Sequence, residues 1–427
     1  MDNRTVMGID VGTSAVRIVI VDDGGEVVAS ARAALPPPER GADGVRQDPD
    51  LWWQAVLDAL DALPAGARAS VCALAVDGTS GTLLLADDKG RPATSARMYN
   101  DQSCTGPSAE IDALAPETSL ARGTGSTLAR LLALAGEVGD TQGLKAQHQA
   151  DWIAGRFAGS FATSDENNAL KMGYDVVARR WPAWFEGLAL NLDLLPDIVR
   201  PGAAIGDVME AVAKKTGLPK DCKIVAGTTD GVASFLAAGA IAPGTAVSAL
   251  GTTLTLKTVT EKPIFAPEFG VYSHRLGDLW LAGGASNTGG AVLRQHFDDS
   301  ELKTLSQKID PRAESGLDYY PLPASGERFP VNDTNLTPRV EPRPEADEKF
   351  LQGLLEGIAR IERQAYEKLA ELGAVYPQEV LTVGGGAKNE IWTEMRSRIL
   401  GVPIQSLGDV EPAYGTALLV RRVLKTN

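Results

Sequence analysis

The feature that most constrains the fold is a short pattern that occurs twice, about half a chain apart. An apolar strand, a Gly-Thr turn and a second apolar strand occupy residues 6–21, and the same order returns over residues 246–259. Thr13 and Thr252 mark the two turns and lie 252 − 13 = 239 positions apart in a chain of 427 residues. Because this length exceeds one ordinary core, the spacing predicts two copies of one domain plan.

The periodicity of apolar residues predicts the elements around these turns. Strands are expected over 6–10, 15–21 and 27–32, and a strand rather than a helix follows the first glycines. That order excludes a dinucleotide-binding βαβ motif, and the chain has no GxxxxGK[ST] segment. Helices are expected over 50–63, 347–372 and 411–424, whereas 105–220 is predicted to be mainly helix and loop, and the Pro-rich stretch 301–345 to be loop.

Charge and cysteine content exclude several classes of function. The formal net charge of −14 disfavours binding to nucleic acid or to an anionic membrane surface. The cysteines are scattered, which predicts neither a disulfide framework nor a zinc site: Cys72, Cys104 and Cys222. Arg17 and Asp22 interrupt the first apolar stretch, so the sequence predicts no signal peptide, no membrane span and a cytoplasmic location.

The two Gly-Thr turns are candidate phosphate sites. A tight turn of this kind brings consecutive N–H groups and a hydroxyl to one point, which forms a small anion-binding nest. One such turn alone is more often an ordinary hairpin turn, but the pairing at half-chain spacing favours the phosphate interpretation. The residues concerned are Gly12, Thr13, Ser14, Gly251, Thr252 and Thr253.

Two aspartates stand where strands end. Asp10 closes an apolar strand just before the first turn, and a carboxylate there needs Mg²⁺, a substrate hydroxyl or the N–H groups of the turn as partner. Asp230 follows Gly-Thr-Thr at the start of a predicted helix, where the N-terminus favours the ionised form. Such a carboxylate can accept a hydroxyl proton, or it can simply cap the helix.

A third glycine-rich segment lies near the end of the chain. Residues 384–389 read Gly-Gly-Gly-Ala-Lys-Asn after a predicted strand, with Trp392 in the helix that follows. Glycines without side chains allow a flat ring to lie against the backbone, with Asn389 or Trp392 at its border. The alternative interpretation is a plain turn.

Taken in chain order, four segments resemble the FGGY carbohydrate kinases over nearly the whole chain. They are Gly8-Ile-Asp-Val-Gly-Thr-Ser14, Gly227-Thr-Thr-Asp230, Ala249-Leu-Gly-Thr-Thr253 and Gly384-Gly-Gly-Ala-Lys-Asn389. The resemblance implies an α/β fold of two actin-like (ribonuclease H-like) domains with a cleft between them. It implies a sugar-binding domain over 1–237, completed by the C-terminal helix 411–427, and a nucleotide-binding domain over 238–410.

The resemblance also implies roles for individual residues. Asp230 would be the catalytic base, and Asp10 would organise Mg²⁺ and substrate, with both carboxylates near the metal directly or through water. The phosphates of ATP would contact Gly12, Thr13 and Ser14 and the turn Gly251-Thr252-Thr253. The adenine nucleoside would be bordered by Gly385, Gly386, Asn389 and Trp392.

The choice of sugar depends on finer similarities. Residues 148–155 and 164–175 look like the short D-ribulose kinase-like branch, which implies D-ribulose as acceptor and D-ribulose 5-phosphate as product. Xylulose kinases typically carry a Met-His-Gly-type loop where this chain has Asp77-Gly-Thr-Ser-Gly81, so Ser80, Thr79, Asp10 and Asp230 are the expected sugar contacts.

Several alternatives stay open. D-xylulose or another polyol is a second acceptor, and an actin- or chaperone-like ATPase without a sugar acceptor is a different class of function. Such ATPases need no carboxylate in a Gly-Thr-Thr-Asp context facing an acceptor, which favours the kinase. The roles of Asn100, Asp101 and Lys171, and the choice between monomer and homodimer, stay open as well.

Overall fold

The computed structural model describes residues 4–408 and 410–426 and divides into two compact units. Unit 1 runs to Ala237 and also contains the segment from Glu411 onward, while unit 2 spans Ala238–Val410. Among the described residues, no helix is both long and apolar enough to cross a bilayer.

The elements are as follows, in chain order. The strands are β1 Thr5–Val11, β2 Ala15–Val21, β3 Val27–Ala34, β4 Glu39–Gly41, β5 Gly44–Gln47, β6 Val71–Gly78, β7 Leu83–Asp87, β8 Ala96–Arg97, β9 Leu144–His148, β10 Thr163–Asp165, β11 Asp197–Val199, β12 Ala204–Asp207, β13 Lys223–Val225, β14 Thr228–Thr229, β15 Thr245–Leu250, β16 Leu254–Thr260, β17 Tyr272–Leu276, β18 Leu279–Ser286, β19 Glu379–Val383 and β20 Ile404–Gly408. The α-helices are α1 Pro49–Asp61, α2 Ala65–Ala69, α3 Thr105–Leu114, α4 Thr127–Val138, α5 Gln149–Ala158, α6 Glu166–Leu170, α7 Glu210–Thr216, α8 Asp230–Ala237, α9 Gly290–Arg294, α10 Asp299–Ser306, α11 Asp347–Glu371, α12 Glu390–Leu400 and α13 Pro412–Thr426. Short 3-10 helices cover Ala183–Gly187, Leu192–Leu194, Pro267–Phe269 and Gly385–Lys388.

The main sheet of unit 1 has the strand order β12-β13-β6-β1-β2-β3, and β14 also pairs with β6. β1, β2 and β3 are antiparallel neighbours, and β6 joins the other side of β1 in parallel. Every residue of β1 is buried, as is nearly all of β2, because helices cover both faces of a sheet of this kind. The continuous apolar character of both strands is what made them predictable.

The C-terminal helix α13 packs against β1 and α8 within unit 1. Two glycines permit this close approach: a Cβ on Gly8 would lie 2.0 Å from the carbonyl oxygen of Ala413, and a Cβ on Gly415 would lie 1.8 Å from that of Ala233. No side chain fits at either position. The helix therefore lies directly on β1, the strand that carries Asp10.

Unit 2 repeats the plan of unit 1. Its sheet has the order β17-β18-β16-β15-β19-β20, in which β15, β16 and β18 are successive antiparallel neighbours. β19 joins β15 in parallel, as β6 joins β1, and β20 then joins β19 in parallel. The long helix α11 supplies much of the core of this unit, with Phe350, Leu354 and Ile358 fully buried or nearly so.

The structure contains strands that the periodicity did not reveal. No element was predicted over 260–300, where β17 and β18 extend the sheet, and 105–220 was predicted to be mainly helix and loop although β9 to β12 lie there. These strands are short, or they mix polar, glycine and apolar residues, so their pattern is weak. The stretch 301–345 is irregular after the end of α10, as predicted.

Candidate active site

Three carboxylates meet at one edge of the main sheet of unit 1. β1 and β6 run parallel with Asp10 paired to Asp77, and β14 pairs with β6 so that Thr228 also lies opposite Asp77. Asp230 follows β14 directly and begins α8. Asp10 and Asp230 were predicted as site residues, whereas Asp77 was not, because nothing in the local sequence indicates this pairing.

Asp10 is a buried carboxylate with Arg17 as a cationic partner. Its exposed fraction is 2%, and Nη1 of Arg17 donates to its Oδ2 at 3.0 Å. Arg17 is in turn held by Glu411 through a 3.1 Å contact from its Nε. Burial raises the pKa of Asp10 to about 6, although the charge and hydrogen bond of Arg17 oppose that rise.

Asp77 is fully buried, which favours the neutral form of its carboxyl. Burial is the largest cause that raises the pKa of Asp77 well above its usual range, and the charge of Asp10 adds to it. Thr416 on α13 donates a hydrogen bond of 2.5 Å to its Oδ2. Its Oδ1 accepts none from any described residue, and a hydrogen bond between the carboxyls of Asp77 and Asp10 opposes the rise in the pKa of Asp10 that burial causes.

Asp230 is the least buried of the three carboxylates. Its Oδ1 accepts from the backbone N–H of Gly231 at 2.6 Å, and its charge raises the pKa of both Asp10 and Asp77. The chain that leads into α8 passes so close to β6 that residue 227 must be glycine, since a Cβ on Gly227 would lie 1.7 Å from the carbonyl oxygen of Val76. The position at a helix N-terminus favours the ionised form of Asp230.

The loop after β6 carries two further predicted residues in different surroundings. Thr79 is committed to the loop itself, because its N–H and Oγ1 both bond to Oε1 of Gln149, at 3.0 and 2.7 Å. The Oγ of Ser80 is buried and has no hydrogen-bond partner among the described residues. Asp101 is paired with Arg97 at 2.6 Å, which makes it a residue that orders the next loop.

The first Gly-Thr turn joins β1 to β2, next to Asp10. Its N–H at Gly12 donates to the carbonyl of Ala15 at 3.0 Å, and a Cβ on Gly12 would lie 3.4 Å from Nη1 of Arg17. Thr13 is partly exposed and Ser14 is exposed, so both residues are accessible to solvent. The turn therefore lies beside the carboxylates, as its position in the sequence predicts.

The second Gly-Thr turn packs against the start of α9 in unit 2. The N–H of Gly290 donates to the carbonyl of Gly251 at 2.9 Å, and the N–H of Ala291 to that of Thr252 at 3.0 Å. A Cβ on Gly290 would lie 2.7 Å from the Gly251 oxygen, so the contact requires glycine. Thr253 ends the turn, where its carbonyl accepts from the N–H of Gly251 at 3.2 Å.

A cavity of about 770 Å³ opens beside this turn within unit 2. Five of the predicted nucleotide contacts line it: Gly251, Gly385, Gly386, Asn389 and Trp392. The cavity is within the size range of cofactor pockets. Its lining includes three basic residues, Arg294, Lys303 and Lys388, and two acidic ones, Asp299 and Glu390.

Hydrogen bonds fix the glycine-rich wall of this cavity. Asn389 caps α12 by accepting from the N–H of Trp392 at 3.1 Å, and its Nδ2 donates to Oγ of Ser306 at 2.9 Å. The ring of Trp392 faces the core, since its Nε1 donates to a backbone carbonyl at 3.0 Å and only 2% of the residue is exposed. A Cβ on Gly386 would lie 2.8 Å from that ring.

A buried ion pair anchors the same wall from behind. Arg396 on α12 donates to Oε1 of Glu362 on α11 at 2.6 Å, and both side chains have no exposed surface. Arg396 also donates to Oγ1 of Thr382 on β19 at 2.9 Å. Loss of one partner would leave an unpaired buried charge, which typically lowers the free energy of unfolding by about 3–5 kcal/mol.

The donor chemistry of the carboxylate edge fits a magnesium ion shared with a substrate. Among the described residues, no group of three or more His, Cys, Asp and Glu side chains could hold a metal by itself. Mg²⁺ is usually bound through one or two carboxylates, with water and substrate phosphates as the other ligands. Asp10 and Asp230 provide carboxylates of this kind.

Comparisons with known proteins agree with this geometry. The family model described as FGGY family of carbohydrate kinases, N-terminal domain, matches residues 5–237, and that of the C-terminal domain matches residues 246–421. The xylulose kinase of Escherichia coli K12 is 28% identical, over 97% of this chain and 89% of its own length. That of Bacillus subtilis is 26% identical, over 97% and 87%.

Solved structures show the same architecture. A "xyloylose kinase" from Brucella ovis superposes with a TM-score of 0.88 at 25% identity, covering 99% of this chain and 91% of its own. The predicted α/β class and two-domain organisation are thus confirmed.

Proposed function

Since the chain belongs to the FGGY family of carbohydrate kinases, we propose that it transfers the γ-phosphate of ATP to a ketopentose. The observation that carries this proposal is the edge of unit 1 where Asp10, Asp77 and Asp230 converge next to a Gly-Thr turn. A phosphoryl-transfer enzyme needs a base near the acceptor hydroxyl and oxygen ligands for a metal, and this edge supplies candidates for both.

We assign the role of base to Asp230. Burial favours the neutral form of Asp77 and Asp10 is bound by Arg17, whereas Asp230 is half-buried and lies at a helix N-terminus. As the sugar oxygen forms a bond to the γ-phosphorus, the bond from phosphorus to the bridging oxygen breaks and ADP leaves. The hydroxyl proton passes to a carboxylate oxygen of Asp230.

Asp10 has a different role in this proposal. Arg17 favours its ionised form, which makes Asp10 with Asp230 the residues that would hold Mg²⁺. When bound, Mg²⁺ would offset the negative charge of the phosphate oxygens. The neutral state of Asp77 matters here, because a third negative charge at the edge would raise the pKa values of both neighbours.

The donor is assigned to unit 2 and the acceptor to unit 1. In unit 2 the Gly251-Thr252-Thr253 turn would bind phosphate, and the wall formed by Gly385, Gly386 and Asn389 would lie along the adenosine. In unit 1 the turn at Gly12–Ser14 lies beside the carboxylates and would contact the transferred phosphate. The support for this division is the lining of the cavity in unit 2.

D-Ribulose is our first candidate for the acceptor, and D-xylulose is the second. The two sugars differ only in configuration at C3, so a single polar contact can separate them. The relatives from E. coli and B. subtilis are xylulose kinases, which favours D-xylulose. The loop Asp77–Gly81 departs from the Met-His-Gly type of those kinases, which favours D-ribulose.

A panel of acceptors tests the proposal. ADP formation is measured with ATP and Mg²⁺ and D-ribulose, D-xylulose, L-ribulose, ribitol or glycerol, each beside a sample without acceptor. We expect a ketopentose to stimulate ADP formation at least tenfold and the product to be its 5-phosphate. Equal ADP formation with and without every acceptor would identify an ATPase and contradict the proposal.

A further inference from the structure

One buried side chain near the carboxylate edge has no role in the mechanism proposed above. Gln149 begins α5 and is 1% exposed. Its side chain lies over Gly78, because a Cβ on Gly78 would be 3.1 Å from Oε1 of Gln149. Gly78 follows Asp77 and is paired with Thr229, the residue before Asp230. The carboxamide of Gln149 therefore lies near the carboxylate edge to which the acceptor is assigned above.

The orientation of this carboxamide is fixed by its partner. Oε1 accepts from the N–H of Thr79 at 3.0 Å and from its Oγ1 at 2.7 Å. A backbone N–H can only donate, so the oxygen must face Thr79 and the NH₂ group must face the other way. That NH₂ group donates to no described residue, although it is buried.

Two further buried polar atoms lie on the loops that meet here. Oγ of Ser80 and Oδ1 of Asn100 have no hydrogen-bond partner among the described residues. The loops that carry them are joined, because the N–H of Tyr99 donates to Oγ1 of Thr82 at 3.0 Å, and Thr82 contacts Thr79 at 2.6 Å. Buried polar groups in proteins are nearly always paired, so such a group is a signal for a missing ligand.

The chemistry of these atoms matches a polyhydroxylated ligand. They provide an NH₂ donor, a hydroxyl that can donate or accept, and an amide oxygen that accepts. A ketopentose presents one carbonyl and four hydroxyls, which can satisfy all of them. A site that depends on such contacts discriminates strongly against an analogue that lacks the contacted oxygen.

We propose that Gln149 determines specificity for the acceptor: its Nε2 donates a hydrogen bond to one sugar oxygen while its Oε1 holds the loop at Thr79. This inference rests on the proposed function, since it requires a sugar at this edge. Gln149 is a binding residue and takes no part in proton transfer. Ser80 and Asn100 complete the same polar surface.

The test uses Gln149→Met, which has a similar shape and no hydrogen-bonding amide. Its matched control is Gln147→Met, because Gln147 is also buried and also makes two side-chain hydrogen bonds, to the carbonyls of Ala146 and Phe161. Steady-state kinetics are measured for both variants and the wild type, with the best acceptor of the panel and with ATP. Thermal melting reports the structural cost of each change.

We expect Gln149→Met to raise the KM for the sugar about tenfold or more, with the KM for ATP within twofold. Gln147→Met should lower the melting temperature by a similar amount and leave the sugar KM within twofold. Monodeoxy analogues of the sugar provide the decisive comparison. The analogue that lacks the contacted oxygen should be a poor substrate for the wild type and no worse for Gln149→Met than the parent sugar.

Other results overturn the inference in distinguishable ways. An unchanged sugar KM in Gln149→Met, or equal penalties on every deoxy analogue, assigns Gln149 to loop structure alone. If Gln149→Met does not fold, Gln149→Glu at pH 8 keeps an oxygen toward Thr79 and removes the amide donor, and its sugar KM decides instead. A wild type that phosphorylates none of the acceptors contradicts the proposed function itself, and the inference with it.

Discussion

Replacing Asp77 by Asn tests the neutral-acid interpretation directly. The amide keeps the shape of a protonated carboxyl: its oxygen can accept from Thr416, and its NH₂ can donate toward Asp10. The difference is that Asn has no proton to gain or lose. Burial and the charge of Asp10 raise the pKa of Asp77 in the native protein, so the wild type must hold a proton that its unfolded chain releases.

The sign and size of the effect follow from this difference in proton binding. Unfolded Asp77 ionises near pH 3.9, its ordinary value, while native Asp77 stays protonated above that pH. In this window the native state binds more protons, so the free energy of unfolding of the wild type falls by about 1.4 kcal/mol per pH unit from this group. Asp77→Asn lacks that slope and should gain stability over the wild type as the pH rises.

Urea denaturation of both proteins at half-unit steps from pH 4.5 to 8 measures the effect. The difference in unfolding free energy should grow with pH and level off at the native pKa of Asp77. Asp87→Asn is the control. The backbone N–H groups of Arg91 and Lys89 donate hydrogen bonds to Asp87 and lower its pKa, so the contribution of Asp87 to the unfolding free energy is constant above pH 4.5. A difference for Asp77→Asn that is flat or falls with pH would show that Asp77 is ionised in the native protein.

Three further predictions concern catalysis, packing and nucleotide binding. Asp230→Asn should lower kcat by about 10²–10⁴ with the KM for ATP within twofold, because the lost base acts on the acceptor; near-normal turnover in the steady-state assay would defeat that assignment. Gly415→Ala should lower the free energy of unfolding, measured by urea denaturation, by about 1–3 kcal/mol, since its Cβ would lie 1.8 Å from the carbonyl oxygen of Ala233. Gly66→Ala is its control, as no heavy atom lies within 4 Å of a Cβ there, and equal stability of the two variants would refute the packing argument. Gly386→Ala should raise the KM for ATP at least threefold and leave the KM for sugar unchanged, because its Cβ would displace the cavity wall; an unchanged ATP KM would place the nucleotide elsewhere.

Local sequence predicted what depends on short-range pattern. Continuous apolar runs located β1 and β2, and the Gly-Thr turns located the phosphate candidates. The two carboxylates named from the sequence, Asp10 and Asp230, do reach the same sheet edge. Each of these features is encoded within a few residues, where the relation between pattern and structure is direct.

Long-range pairing produced the features that the sequence analysis missed. Asp77 was seen only as part of a loop that departs from a family pattern, yet its pairing with Asp10 joins positions 67 residues apart, as 77 − 10 = 67. Gln149 lies at the start of a helix where glutamine is unremarkable, and only the contact with Thr79 gives it meaning. No local pattern contains such information, because strand order and register decide it.

The hydrogen bond from Thr416 gives the C-terminal helix a part in the site. Without a donor at Oδ2, the buried carboxyl of Asp77 would have one oxygen unsatisfied, and its proton could sit on either oxygen. Thr416 donates to Oδ2, which favours a proton on Oδ1, the oxygen that accepts from no described residue. The helix can reach Asp77 only because Gly8 and Gly415 let it lie against β1 and α8. The orientation of one proton between two aspartates near the start of the chain therefore depends on a threonine close to its end.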